Sequence, residues 1–302
     1  MAGNFEQFVS AHPVYEKCYR HLNASHRLLG MSARSVFQRY GEALGPVAHE
    51  LLGFVEAHFP SDYLDRYLRR VAYLNQLQEK FDAAPSSGTL GDPTAAVDRL
   101  DYDVALLLSV PFTNHRFELF EAFKAFLGSL APKGRLAAVG VGTGYELLLA
   151  ARAIPGWLVE GYDTNPSVHE RARLLLSHAG VSSDIVFREL FPLEAPGADQ
   201  EGAYDALVAC ELLEHLPDPL GALRTFRRCL KPGAELFGTM AINMAQEDHV
   251  FLYPSVEACR AQVADAGLHI TREWIIPMSV LPVAPNPANL RRGNYAFIAR
   301  AA

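Results

Sequence analysis

Three glycines at alternate positions constrain this chain more than any other feature of its sequence. Residues 135–145 read RLAAVGVGTGY, with glycines at positions 140, 142 and 144, and a helical pattern follows directly. An apolar run, alternating glycines and then a helix predict a strand, a tight turn and a helix start. The glycines permit unusual backbone angles and close approach, and the first N–H groups of the helix point to the same place. The segment predicts a ligand-binding turn, although such a turn also occurs without a ligand, so neighbouring segments decide its role.

After residue 134 the sequence alternates between strand-like and helical stretches. The strand-like runs lie near 135–140, 157–163, 184–188, 204–210, 234–241, 268–277 and 294–300, and the helical runs near 145–154, 166–179, 218–230 and 255–266. Strands that alternate with helices of this length predict an α/β fold with a mostly parallel sheet covered on both faces. No helix separates the last two strands, so we expect them to form an antiparallel hairpin at one edge.

The first part of the chain has a helical pattern throughout. Apolar residues recur at helical spacing over residues 32–55 and 63–74, without the alternation of strands. Residues 85–93, PSSGTLGDP, predict a loop or hinge. We therefore expect an α-helical domain over residues 1–130, acting as a cap that contacts substrate or as a dimer interface, and a second domain over 131–302.

The charge and cysteine content narrow the class of protein. The 302 residues carry a net charge of −7 and a pI near 5.9, which argues against broad binding to nucleic acid or to anionic membranes. Four dispersed cysteines indicate neither a disulfide framework nor a zinc finger. The N-terminus lacks the apolar core of a signal peptide, and no apolar run reaches the roughly 18 residues of a membrane span. These features predict a cytoplasmic protein.

Two further segments support a cofactor site at the glycine turn. The strand WLVEGYD ends in Asp163, 19 residues after Gly144, where a carboxylate can accept hydrogen bonds from two ribose hydroxyls. A helix start follows at Thr164-Asn165-Pro166. Further on, YDALVACE is a strand that leads into LLEHLPDP and then FRRCLKPGAEL.

In this order the motifs resemble those of the class I S-adenosylmethionine-dependent methyltransferases. The resemblance covers residues 130–300, and LKPGA is its most specific motif. It implies a doubly wound sheet of seven strands whose carboxyl edge holds S-adenosylmethionine. It assigns the methionyl and ribose portion to Gly140, Gly142 and Gly144, the ribose hydroxyls to Asp163 with Thr164 beside it, the adenine edge to Glu189, and the sulfonium to Cys210 and Glu211.

The chain departs from the family pattern at two places. Ala138 occupies a position where the family often carries an acid, which puts in doubt one contact to the amino end of the cofactor. The third strand reads Phe187-Arg-Glu-Leu without the usual Gly-Asp, which weakens the assignment of Glu189.

Acidic and imidazole side chains follow the fourth and fifth strands. Glu211, Glu214 and His215 share one face if their segment is helical, and His249 follows the fifth strand. This pattern is similar to the metal site of the small-RNA 2′-O-methyltransferases. It also resembles the residue pattern of the ubiquinone-biosynthesis O-methyltransferases. The resemblance implies that these four residues hold Mg²⁺, Mn²⁺ or Zn²⁺, which would lower the pKa of a substrate hydroxyl. The alternative is a metal-free site in which His215 or His249, with Glu211, performs the proton transfer.

Candidate substrate contacts come mainly from the helical region. They are Tyr102, His115, Arg116 and, after the fifth strand, Tyr253. Arg116 could bind a carboxylate, but a solvated helix start is the favoured interpretation. The two tyrosines could line a pocket, although aromatic residues at such positions are more often part of a core.

Taken together, the sequence predicts an S-adenosylmethionine-dependent methyltransferase of a small molecule in specialised metabolism. We expect oxygen rather than nitrogen or carbon as the acceptor, no nucleic-acid or membrane partner, and a possible homodimer through the helical region. A protein or peptide methyltransferase and a non-catalytic, cofactor-binding relative stay open as alternatives. An NAD-dependent oxidoreductase fits the glycine spacing poorly.

Overall fold

The computed structural model describes residues 47–83, 98–181, 185–189, 199–278 and 292–301, together with 191, 193 and 195–197. The predictions made for residues 32–46 and for the loop at 85–93 lie outside the described residues.

Four described helices precede the sheet. They are α1 over residues 47–58, α2 (Tyr63–Ala83), α3 (Arg99–Phe112) and α4 (Asn114–Leu127). Asp98 caps α3 by accepting the backbone N–H groups of Leu100 and Asp101. Thr113, in an extended conformation (φ −126°, ψ 137°), separates α3 from α4. None of the described helices combines the length and the apolar character that crossing a bilayer requires.

A seven-stranded sheet forms the second part of the molecule. Its strands are β1 (Arg135–Val139), β2 (Leu158–Tyr162), β3 (Val186–Arg188), β4 (Tyr204–Ala209), β5 (Leu230–Ile242), β6 (Leu268–Pro277) and β7 (Gly293–Ala301). Their order is β3-β2-β1-β4-β5-β7-β6. The first five strands are parallel, and β7 is antiparallel to both β5 and β6. The predicted doubly wound sheet with an antiparallel C-terminal hairpin is confirmed.

The helices between the strands begin at residues that suit helix starts. They are α5 (Tyr145–Ala153), α6 (Pro166–His178), α7 (Pro219–Cys229) and α8 (Val256–Asp265), with a 3₁₀ turn at Leu213–His215. The side chains of Asn165, Asp218 and Ser255 cap α6, α7 and α8. The strands β1 and β4 are neighbours at the centre of the sheet. From β1 the chain continues outward to β2 and β3 on one side, and from β4 it continues to β5 on the other. Sheets of this kind bind their ligands at the carboxyl ends of the two central strands.

The helical region packs directly on the sheet. Phe123 and Phe126 of α4 lie 5.2 Å and 5.3 Å, between ring centroids, from Phe237 of β5. Buried side chains of α1 to α4 and of the sheet belong to one hydrophobic cluster. The helices therefore form a layer over the sheet, and a domain boundary at residue 130 stays a prediction.

Candidate active site

The glycine turn joins β1 to α5 with three left-handed backbone conformations. Gly140, Gly142 and Gly144 have φ values of 77°, 54° and 84°. A Cβ at Gly144 would lie 2.6 Å from the Cβ of Ala172, so this glycine allows α5 to pack on α6. A Cβ at Gly142 would meet no atom within 4 Å. The middle of the turn is therefore open, as a bound ligand requires.

Asp163 lies at the carboxyl end of β2, opposite the turn. Its Oδ2 accepts the backbone N–H of Gly142 at 3.3 Å, and its Oδ1 accepts that of Asn165 at 3.0 Å. Each carboxylate oxygen can accept a further hydrogen bond, so Asp163 can still bind a pair of hydroxyls. Thr164 and Glu189 are exposed beside it, Glu189 directly after β3.

Glu211 follows β4 in a left-handed conformation, with φ 47°. Its Oε1 accepts hydrogen bonds from the hydroxyl of Thr239 and from the amide of Asn294, each at 2.8 Å. Arg116 of α4 lies 3.5 Å from its Oε2. Burial opposes ionisation of Glu211, but Arg116 and the Thr239 hydroxyl outweigh it and lower the pKa of the carboxyl. Glu211 is therefore a fixed, charged group.

A cavity of about 30 Å³ lies between α4, the start of α5 and the ends of β4 and β5. It is lined by Val110, Arg116, Leu119, Phe120, Phe123, Tyr145, Glu146, Cys210, Glu211, Phe237 and Thr239. Burial raises the pKa of Glu146 and of the Cys210 thiol. The hydroxyl of Tyr145 is buried without a hydrogen-bond partner among the described residues. The cavity thus combines an apolar wall with one cation, two acids and an unused hydroxyl.

Glu214, His215 and His249 bring three metal-ligating side chains together. Glu214 and His215 lie in the 3₁₀ turn after β4, and His249 lies in the segment after β5. One potential ligand atom from each residue lies within 4.8 Å of the other two. Both carboxylate oxygens of Glu214 are buried, and neither has a hydrogen-bond partner within the described part of the chain. Burial, reinforced by Glu211, raises the pKa of Glu214 well above its ordinary range.

Backbone carbonyls orient the two imidazoles. His215 Nδ1 lies 3.0 Å from the carbonyl oxygen of Asp248, and His249 Nδ1 lies 2.9 Å from that of Met244. Because a carbonyl only accepts, each Nδ1 carries a proton, and the neutral form of each ring has its lone pair on Nε2. The rings meet edge to face with centroids 4.8 Å apart. Burial, followed by the charge of His215, lowers the pKa of His249 to about 4, so its imidazole is neutral at pH 7.

Residues 112–270, more than half of the chain, match the family model described as a methyltransferase domain. This match covers β1 to β5, the glycine turn and the two segments that carry Glu214 and His249. The chain belongs to the class I S-adenosylmethionine-dependent methyltransferases.

Two curated relatives are similar to parts of this methyltransferase. A ubiquinone biosynthesis O-methyltransferase of Xanthomonas campestris pv. campestris is 40% identical over 106 residues, which are 35% of this chain and 42% of the relative. One of Pseudomonas paraeruginosa is 31% identical over 137 residues, which are 45% of this chain and 57% of the relative. The chain thus spans about half the length of the curated relatives it matches.

Solved structures share the fold at low identity. A geranyl diphosphate methyltransferase in complex with GPP and sinefungin superposes with a TM-score of 0.51 at 15% identity, covering 75% of this chain and 94% of that one. The same enzyme in complex with S-adenosylmethionine gives a TM-score of 0.50 at 17% identity, covering 71% and 94%. Identities this low show the fold alone.

The cofactor of the family is S-adenosylmethionine, and the residues at the carboxyl edge fit it. The open space at Gly142 admits a ligand against the backbone, and the hydrogen-bonded Asp163 can accept two ribose hydroxyls. Ala138 is buried within β1 between Gly161 and Val208, so no acid reaches the site from that position. The cavity offers Glu146 and Glu211 as acids instead.

The structure places the four predicted metal ligands in two groups. Glu214, His215 and His249 form one cluster, whereas the carboxylate of Glu211 is bound by Thr239 and Asn294. The condition for a shared helical face is not met, because the segment forms a 3₁₀ turn at Leu213–His215 and Glu211 precedes it with a left-handed backbone. The assignment of Glu211 beside the sulfonium, next to Cys210, stays a prediction.

The predicted substrate residues also separate. Arg116 lines the cavity with its side chain 17% exposed, so it is not the solvated helix start that the sequence favours. His115 precedes it in the first turn of α4. Tyr102 of α3 is half-buried against the guanidinium groups of Arg70 and Arg99. Tyr253, in contrast, is a core residue, 1% exposed, whose hydroxyl donates to Gln262.

Sequence reasoning missed the residues that hold Glu211. Thr239 lies in the second half of β5 and Asn294 at the start of β7, two neighbouring antiparallel strands. The only sequence signal for them is that each is a polar residue within an otherwise apolar stretch of a strand. Asn294 is fully buried, and its Oδ1 has no partner among the described groups.

The lowered pKa of His115 makes a pH prediction possible. Burial and the neighbouring Arg116 lower its pKa from 6.5 to about 4, so the folded protein binds fewer protons than the unfolded chain between these values. The free energy of unfolding is therefore not reduced by His115 above pH 6.5. As the pH falls from 6.5 to 4, it decreases by up to about 3 kcal/mol because the unfolded chain binds the proton more readily. Urea unfolding of His115→Gln should therefore show a shallower loss of stability over this range than the wild type. The exposed His269→Gln variant is the control, and parallel curves for wild type and His115→Gln would contradict the assignment.

Proposed function

We propose that this methyltransferase methylates a hydroxyl oxygen of a small molecule with the help of a divalent metal ion. The observation that supports the proposal most directly is the cluster of Glu214, His215 and His249, in which two buried carboxylate oxygens have no described partner. A buried carboxylate without a partner is costly, and a cation beside it removes that cost.

One carboxylate and two imidazoles form a donor set that suits Zn²⁺ or Mn²⁺ and also accepts Mg²⁺. The carbonyls of Asp248 and Met244 accept hydrogen bonds from the two Nδ1–H groups, which leaves both Nε2 atoms available as ligands. A bound ion would lower the pKa of an acceptor hydroxyl, which makes oxygen a better nucleophile at neutral pH. A site without the ion would use the neutral His249 or His215 as a general base.

The cofactor portion of the proposal uses the open side of the glycine turn. We assign the ribose hydroxyls to Asp163 and the charged methionyl end to the cavity that Arg116 and Glu146 line. Arg116 offers a partner for the carboxylate and Glu146 one for the ammonium group. S-adenosylmethionine supplies an electrophilic methyl group, and the protein aligns the acceptor with it.

The comparisons support a small hydroxylated molecule as the acceptor. Relatives named for O-methylation in ubiquinone biosynthesis favour a small hydroxylated acceptor, and a specialised metabolite of that chemistry fits equally well. Three cysteines of the described part, Cys210, Cys229 and Cys259, are free thiols, which supports a reducing cytoplasm. A homodimer through the helical region stays a prediction.

The test is turnover of methyl-labelled S-adenosylmethionine with a panel of phenols, catechols, aliphatic alcohols and amines. We expect S-adenosylhomocysteine to form with a hydroxylated acceptor and the label to appear in an ether. Label that appears only in amines or in cellular protein would contradict the proposal. Absence of turnover together with tight S-adenosylhomocysteine binding would identify a non-catalytic relative.

A further inference from the structure

Two buried side chains of α2 hold the segment that carries His249. This segment, residues 243–249, leaves the carboxyl end of β5. Gln78 and Arg70 of α2 are only 6% and 8% exposed, and both contact the segment from more than 160 positions away in the chain. Long polar side chains are seldom this buried unless they are paired.

Gln78 bridges two peptide groups of the segment. Its Nε2 donates to the carbonyl oxygen of Asn243 at 3.0 Å, and its Oε1 accepts the backbone N–H of Ala245 at 2.9 Å. Between these two peptides lies Met244, whose carbonyl is the partner of His249 Nδ1. Gln78 therefore fixes both peptide groups of Met244, including the one whose carbonyl orients His249.

Arg70 holds the same segment nearer its end. Its guanidinium makes a bidentate pair with Glu247, with Nη2 2.8 Å from Oε2 and Nη1 on Oε1. Glu247 precedes His249 by two residues, and its side chain is 19% exposed. The guanidinium also lies 5.5 Å and 5.8 Å from the ring centroids of Tyr73 and Tyr102, which restrict its position.

We propose that Gln78 and Arg70 are positioning residues that set the metal affinity of the site by holding His249 in place. This inference rests on the proposed function, because it takes His249 as a ligand. Without its contacts to α2, the segment 243–249 would have to become ordered before His249 could bind a metal together with Glu214 and His215. This ordering would cost free energy and weaken metal binding. Helix α2 thus supports the metal site, although none of the three ligands in the described cluster lies on it.

The test compares matched pairs of variants on one helix. Gln78→Ala and Arg70→Ala remove the contacts, while Gln76→Ala and Arg69→Ala remove exposed side chains of the same types from α2. Mn²⁺ and Zn²⁺ are titrated separately into each metal-free protein by calorimetry, and melting temperatures are measured in parallel. We expect Kd to rise about 10- to 100-fold in Gln78→Ala and Arg70→Ala, as for other residues that support ligands indirectly, and to stay near the wild-type value in the controls.

Two further variants separate positioning from folding. Gln78→Glu keeps the acceptor for Ala245 but loses the donor to Asn243, and should raise Kd without unfolding the protein. Arg70→Glu combined with Glu247→Arg should recover much of the affinity that Arg70→Glu loses. Unchanged Kd in folded Gln78→Ala, Gln78→Glu and Arg70→Ala would overturn the inference. Wild-type protein that binds neither ion would instead overturn the metal site itself.

Discussion

Replacing Gly144 by alanine should destabilise the fold by about 2–5 kcal/mol. The new Cβ would lie 2.6 Å from the Cβ and 2.8 Å from the Cα of Ala172, and the φ of 84° is unfavourable for any residue with a side chain. The left-handed conformation costs roughly 1–2 kcal/mol, and overpacking of α5 on α6 about 1–3 kcal/mol more. Urea denaturation measures the loss of unfolding free energy.

Gly142→Ala is the matched variant with the opposite expectation. Its Cβ meets no protein atom within 4 Å, so only the backbone cost of about 1–2 kcal/mol applies. Because that Cβ would point into the open part of the turn, we expect S-adenosylhomocysteine affinity to fall at least about tenfold, roughly 1.4 kcal/mol. Equal stability losses in the two variants, or unchanged cofactor affinity in Gly142→Ala, would contradict the roles assigned to these glycines.

Glu214→Gln should separate activity from stability. The amide keeps the shape of the side chain but is a poor metal ligand, so we expect kcat/KM to fall about 10²-fold or more. In the metal-free protein the same change removes a buried carboxylate and should raise stability by about 1–3 kcal/mol at pH 8.

The sign of this stability change follows from the pKa. Burial raises the pKa of Glu214, so the metal-free folded protein binds more protons than the unfolded chain, and its stability falls as the pH rises from the ordinary glutamate range through the raised pKa. Glu214→Gln should lack this fall. The exposed Glu170→Gln is the control variant, and a Glu214→Gln protein that is less stable than wild type at pH 8 without metal would contradict an unpaired buried charge.

Local sequence patterns predicted the sheet because its strands and turns are encoded by neighbouring residues. Alternating glycines and the Asn165-Pro166 start of α6 specify local backbone geometry, whichever way the chain folds elsewhere. The lack of a helical pattern in the sequence between the last two strand-like runs was enough to predict the antiparallel pairing of β6 and β7.

The details of the site could not be predicted because they depend on contacts between distant segments. Glu211 is held by Thr239 and Asn294, which lie on strands that become neighbours only in the folded sheet. The same is true of Gln78 and its peptide partners, which are 165 and 167 positions away in the chain. The sequence spacing grouped Glu211 with Glu214, whereas in the structure Glu211 has a left-handed backbone and its carboxylate binds Thr239 and Asn294. The carboxylate of Glu214 instead lies with His215 and His249.

The most direct test of the account is turnover of the metal-stripped enzyme. After exhaustive chelation and removal of the chelator, methyl transfer to the best hydroxylated acceptor is measured with and without one equivalent of Mg²⁺, Mn²⁺ or Zn²⁺. We expect the stripped enzyme to keep its S-adenosylhomocysteine affinity, to lose all but about 1% of its turnover, and to regain it with at least one of the ions. Full turnover by the stripped enzyme would contradict a metal held by Glu214, His215 and His249.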